Sequence, residues 1–229
     1  VTDATIPARP DVLARYLHGA VALVVRVALV VQLGLILAGG TDVNTGETAA
    51  DTGVAIRLAR LVSYFTIQSN VLVLVASITL ALAPTRDGRA WRVLRLDSLL
   101  AIAITGIVYN TLLARLVHLD GLALWTNAAL HIVSPVATIG VWLLVGPRPR
   151  ITWGAVAWAF VWPVAWIVGT FVRGAITGWY PYPFMDAADL GYPRAIGVTS
   201  LVVVLALVLA VALKALDGRL RPRNRRPRA

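Results

Sequence analysis

Six stretches of this chain, each 21 to 23 residues long, hold no more than two charged side chains apiece: Leu17–Ala38, Leu61–Ala83, Asp97–Val117, Trp125–Gly146, Thr152–Val172 and Ala195–Leu216. A hydrocarbon core of about 30 Å needs roughly 20 apolar residues in a helix, so each stretch is long enough to cross a bilayer. Composition agrees. Hydrophobic residues make up 59% of the 229 and charged residues 14%, against about 45–50% and about 25% in soluble chains. Lipid is the expected solvent for most of that surface, which excludes a water-soluble domain. Gly39-Gly40, Pro84, Asp120-Gly121 and Pro147-Arg148-Pro149 punctuate the spans. The expectation is an all-α polytopic membrane protein, with a six-helix transmembrane domain over 1–216 and a basic tail over 217–229. No cleavable signal peptide is expected, because the first apolar run is too long and lacks a small-residue cleavage site.

The net charge of +10 suggests nucleic acid until its distribution is examined. With the N-terminus cytoplasmic, the cytoplasmic segments hold fifteen Arg and Lys residues, including Arg86, Arg89, Arg92, Arg95, Arg148 and Arg150. The opposite segments hold five: Arg57, Arg60, Arg115, Arg173 and Arg194. The positive-inside rule then places both termini in the cytoplasm and the protein in the plasma (inner) membrane. The tail RLRPRNRRPR anchors most simply to anionic headgroups of membrane lipids. No readout motif accompanies it, so no nucleic-acid partner is expected. The oligomeric state is left open. Asp42, Glu47 and Asp51 fall in the first outer loop, and an aromatic, proline-rich segment from Arg173 to Arg194 is expected to lie across the outer mouth of the bundle.

Polar residues inside the spans carry the information. Ser63, Thr66 and Asn70 recur at helical spacing in the second span, which predicts one face; Gln68 and Ser69 point elsewhere. The third span carries Thr105, Asn110 and Thr111. Asn127, His131, Ser134 and Thr138 share a face of the fourth. At 1.5 Å per residue, Thr66, Asn110 and His131 each lie about 8–10 Å below the outer boundary. Such residues commonly join transmembrane helices by hydrogen bonds. His131 differs, being the one histidine within a span, since His18 sits at an inner edge and His118 in an outer turn. An ionisable group in the membrane is a functional hypothesis, although a neutral histidine also serves as a structural partner. Arg26, mid-span in the first helix, either snorkels or meets an anionic headgroup or ligand carboxylate. Trp158, Trp162 and Trp166 form a stripe on the fifth span, kinked by Pro163, and read as packing or as a substrate cradle.

A buried imidazole facing a hydroxyl is the minimum for activated-nucleophile catalysis. Thr66 and His131 meet that need, and Asn70 or Asn110 is a candidate oxyanion donor. With Asn127, Arg26, Trp162 and Tyr182 these amides make up the candidate substrate contacts. No carboxylate is evident to orient the histidine, which predicts a modest rate. The chain has no cysteine, and His131 has no further His or carboxylate beside it in the spans, so neither a zinc site nor another cofactor is expected.

Three segments, YFTIQSN in the second span, LHIVSP in the fourth and YPYPFMD in the outer loop, together resemble the androgen-induced / androgen-dependent TFPI-regulating protein family and its bacterial relatives. The resemblance covers nearly the whole chain. It implies six spans, cytoplasmic termini and a membrane threonine hydrolase acting on fatty acid esters of hydroxy fatty acids. It implies Thr66 as nucleophile and His131 as its partner; the outer segment of that family matches Tyr182, Pro183, Phe184 and Asp186 without a catalytic role. Two other readings stand beside it: a non-catalytic accessory subunit of a membrane complex, and a small-molecule transporter, which would require repeats or broken helices.

Overall fold

The computed structural model describes residues 9–46 and 52–220. Their helices are α1 (Arg9–Leu37), α2 (Val54–Ser63), α3 (Phe65–Leu82), α4 (Arg89–Val108), α5 (Gly121–Ala128), α6 (Ser134–Val145), α7 (Trp153–Ala159), α8 (Val161–Thr177), α9 (Ala187–Leu190) and α10 (Tyr192–Arg219). Six segments are long and apolar enough to cross a membrane: α1, α3, α4 with an extension to Leu113, α5 with α6, α7 with α8, and α10. The fold is all-α, as the apolar periods require. Outward faces carry large aliphatic side chains, among them Leu23, Val30, Leu201 and Val208. Water would not tolerate so continuous an apolar surface on a monomer.

Helices α1, α3, α4 and α6 form the centre, with α7 and α10 against α4. Leu96, Leu99, Ile102, Leu130 and Trp142 are fully buried there. Arg15 on α1 donates to the Ala81 and Leu82 carbonyls at 3.1 and 2.8 Å, closing the free C-terminal end of α3. Gly106 lets α4 approach α6, since a Cβ there would lie 2.9 Å from the Pro135 Cβ.

The spans differ from the sequence expectation at several points, each with a local cause. The second span is not one helix. Tyr64 adopts extended backbone (φ −67°, ψ 131°), ending α2 and starting α3. Ser63 therefore lies on a different helix from Thr66 and Asn70, where its hydroxyl bonds the Ala59 carbonyl and receives Arg173. The third span begins eight residues early, at Arg89. The fifth breaks at Phe160, three residues before Pro163, whose ring clashes with the carbonyl four residues back. At its far end α10 continues to Arg219, taking in the start of the expected tail; the Asp217 carboxylate accepts the backbone N–H groups of Arg150 and Ile151 at 2.6 and 2.7 Å. Glu47, Asp51 and tail residues 221–229 lie outside the described residues.

Candidate active site

The break at Tyr64 puts Thr66 on the first turn of α3. The first N–H groups of a helix have no acceptor within it. Tyr64 supplies no side-chain cap. The phenol of Tyr182 takes that place from the segment between α8 and α10, accepting the Thr66 N–H at 3.2 Å. The Tyr182 Oη also lies 3.4 Å from Thr66 Oγ1. Burial pushes the Tyr182 phenol up to about 12, against the opposing effect of the Thr66 and Phe65 donors, so the group stays neutral and keeps its proton.

His131 faces the same hydroxyl. Its Nε2 lies 3.1 Å from Thr66 Oγ1, and its Nδ1 lies 3.1 Å from the Asn127 carbonyl oxygen. A carbonyl only accepts, so Nδ1 carries the proton and Nε2 is left to accept from the threonine. The backbone carbonyl holds the tautomer that a carboxylate holds in other sites. The Tyr109 ring stacks on the imidazole, with centroids 3.9 Å apart.

The local backbone explains how the ring comes to point there. Between α5 and α6 the helix widens into a π-turn, Ala129–Val133, in which the Ser134 N–H reaches back to the Ala129 carbonyl. That leaves the Leu130 carbonyl without its usual partner. Pro135 has no N–H, so the His131 carbonyl is orphaned as well. Two amides from neighbouring helices fill both vacancies. Asn70 Nδ2 donates to Leu130 O at 3.2 Å, and Asn110 Nδ2 donates to His131 O at 3.2 Å. A second π-turn, Tyr109–Leu113, extends α4 and carries both Tyr109 and Asn110. Such turns are rare and recur at functional sites.

A narrow slot of about 70 Å³ reaches Thr66 between α8 and α10. Phe65, Tyr109, Trp166, Tyr182 and Phe184 give it an aromatic lining, and Val164 from α8 with Val203 and Ala206 from α10 form its walls. The slot is almost wholly apolar apart from Thr66, Tyr182 and two further threonines, Thr105 and Thr199. His131 does not line the slot; its Nε2 meets it at Thr66 Oγ1, with the Tyr109 ring stacked against the imidazole.

The other sequence candidates separate clearly. Asn70 and Asn110 are not oxyanion donors. Each amide spends both N–H bonds on carbonyls, Asn70 on Thr66 O and Leu130 O, Asn110 on Gly106 O and His131 O. Asn127 is buried and ties the first loop down, donating to Val43 O at 2.7 Å. Arg26 is exposed on the outward face of α1, away from the slot. Trp162 stacks on Phe65 at 5.0 Å and donates to Gln68 Oε1 at 3.1 Å, which also accounts for Gln68; it stands beside the site without lining the slot. Ser69 bonds Thr105 across α3 and α4 at 2.9 Å. Asp186 caps α9, accepting the N–H groups of Ala188 and Asp189. Asp42 is buried and accepts from Gln32 and Asn44. Sequence reasoning missed Tyr109; an aromatic residue next to a mid-span asparagine is the only trace it leaves. Among the described residues no group of three or more His, Cys, Asp or Glu is placed to hold a metal. No family model, curated protein or solved structure matches the chain.

Proposed function

We infer that this protein is an integral-membrane lipid-ester hydrolase with Thr66 as nucleophile and His131 as base. The observation that carries the reading is the 3.1 Å approach of Thr66 Oγ1 to Nε2 of His131, two side chains from separate helices, with Nδ1 turned to the Asn127 carbonyl. His131 takes the hydroxyl proton as Oγ1 attacks the ester carbonyl carbon. The carbonyl oxygen becomes an oxyanion, and the Tyr182 O–H is placed to donate to it, with the positive end of the α3 dipole adding to the stabilisation. Collapse of the intermediate breaks the ester C–O bond. The imidazolium returns its proton to the departing alkoxide, leaving an acyl-threonine and an alcohol. Water, deprotonated by His131, then attacks the acyl carbon; the bond from that carbon to Thr66 Oγ1 breaks and the imidazolium returns its proton to Oγ1, releasing a fatty acid and free Thr66.

The apolar slot suits an acyl chain, and the resemblance noted above points to fatty acid esters of hydroxy fatty acids as substrates. The arginine asymmetry supports an orientation with both termini cytoplasmic and the site toward the opposite leaflet. The test is incubation with a lipid-ester panel, with products read by mass spectrometry, alongside labelling by an active-site phosphonate. The expected label lies on Thr66 and disappears in Thr66→Ala, while His131→Ala stops turnover in a protein of unchanged elution volume. Undiminished labelling of Thr66→Ala overturns the assignment of the nucleophile. Silence toward every ester, with a stably copurifying membrane partner, would favour an accessory subunit instead.

A further inference from the structure

A second and much larger cavity lies outside the site. It is a groove of about 1030 Å³ between α3 and the α7–α8 pair, floored by α4. The break at Phe160 opens it, because α7 stays on α4 while α8 turns away. Val71, Leu72, Val93, Leu94 and Trp158 make its walls apolar. The Trp162–Gln68 hydrogen bond and the Phe65–Trp162 stack separate it from the slot at Thr66.

The far end of this groove is charged. Arg89 and Ala90, in the first turn of α4, line its mouth. Helix α4 is 20 residues long and its N-terminus has no side-chain cap. Arg92 is held by Asp87 at 2.8 Å, whereas Arg89 is exposed and forms no ion pair among the described residues. A free guanidinium beside open helix N–H groups suits a phosphate. Asp97 lines the same groove, eight residues and about 12 Å deeper, with a buried oxygen that has no partner. A carboxyl at that depth disfavours entry of an anionic head, so an amphiphile enters chain first and leaves its head at Arg89. At about 1030 Å³ the groove stands at the upper end of the about 300–1,000 Å³ range of small-ligand pockets, and its long apolar walls leave room for extended acyl chains.

We propose that the α3/α4/α7 groove is a binding site for a diacyl phospholipid with an anionic headgroup, its phosphate at Arg89 and the α4 N-terminus and its chains along Leu72 and Trp158. The site is independent of the ester chemistry. The experiment uses the full-length protein in detergent micelles with phosphatidylglycerol carrying a photoreactive group in one acyl chain. Peptide mapping should concentrate the crosslinks on 68–72, 93–97 and 154–158, with competition by unlabelled phosphatidylglycerol. Arg89→Gln should lower capture at least fivefold. A Cβ on Gly154 meets only Thr152 Oγ1, at 4.0 Å, so Gly154→Phe fits the helix while filling the groove, and should lower capture at least tenfold. Thr66→Ala should leave capture unchanged, which separates this site from the hydrolase reading. Crosslinks spread evenly over the lipid-facing helices, or equal capture of matched phosphatidylcholine or free fatty acid probes, would overturn the proposal. If Gly154→Phe fails to fold, Arg89→Gln and the headgroup comparison still decide it.

Discussion

Thr66 sits where three requirements of an acyl-transfer nucleophile meet on one atom: a base at 3.1 Å, a neutral phenol at 3.4 Å and the start of a helix. The phenol permits a sharp separation of roles. Removing one oxyanion donor lowers kcat about 10²–10³-fold in well-studied sites. Tyr182→Phe keeps the ring that stacks on Phe184 at 5.4 Å and removes only the hydroxyl. It should therefore lower kcat by about that factor, with KM little changed and phosphonate labelling of Thr66 slowed but not lost. Because burial holds the phenol up to about 12, the group donates across the ordinary assay range. The pH profile of Tyr182→Phe should thus parallel that of the parent; a profile that gains or loses a limb would show that Tyr182 titrates in the reaction. Steady-state kinetics from pH 5 to 10 make the comparison.

At the scale of elements, the site depends on helices that are broken on purpose: the end of α2 at Tyr64 and the π-turn before Ser134. Sequence pattern singled out the two residues that meet here, because a histidine and a threonine are conspicuous inside apolar spans. It could not place them. A depth measured along one continuous second span puts Thr66 five residues inside a helix, whereas it lies on the first turn. His131 lies ten residues in from Gly121, about 15 Å. The two meet because α3 starts deep, under the segment that carries Tyr182. Pro135 was the one local signal of the freed carbonyls, and the asparagines that answer them were legible only as polar residues. Asn70→Ala should cost about 1 kcal/mol of stability in detergent, the usual worth of such a bond, and should lower turnover by releasing the Leu130 carbonyl beside His131. Thermal unfolding and ester turnover, measured on the same preparation, check both. The covering segment has its own weak point at Gly174, where a Cβ would overlap the Tyr180 ring. Gly174→Leu should push that ring outward, carry Tyr182 away from Thr66 and lower kcat about 10²-fold, the usual cost of a misplacement near 1 Å. A folded Gly174→Leu protein with parental kcat would mean that the segment does not position the phenol.

For the whole molecule, the hydrolase proposal requires a route by which a water-insoluble ester reaches a threonine covered by an aromatic segment. Tyr182 and Met185 of the covering segment are buried against the slot, so the segment closes the site on that side. The route left is sideways. Helices α8 and α10 each pack on α4 or on the covering segment more than on one another, and the slot runs between them. Val164 on the α8 wall is exposed to the surroundings of the bundle, which for these helices is lipid. With only about 70 Å³ enclosed, a long acyl chain cannot lie wholly inside and must project between α8 and α10. Under the proposed hydrolase reading, this gap rather than Thr66 sets the acyl chain length accepted. Ala206, buried on α10 at the slot wall, is the place to test it. Ala206→Phe should lower kcat/KM for long-chain esters by roughly tenfold or more, within the range a few methylene contacts control. It should leave short-chain esters and phosphonate labelling of Thr66 close to parental values. Equal loss for acetyl and palmitoyl esters would place the entry elsewhere, because a blocked lateral gap must discriminate by length.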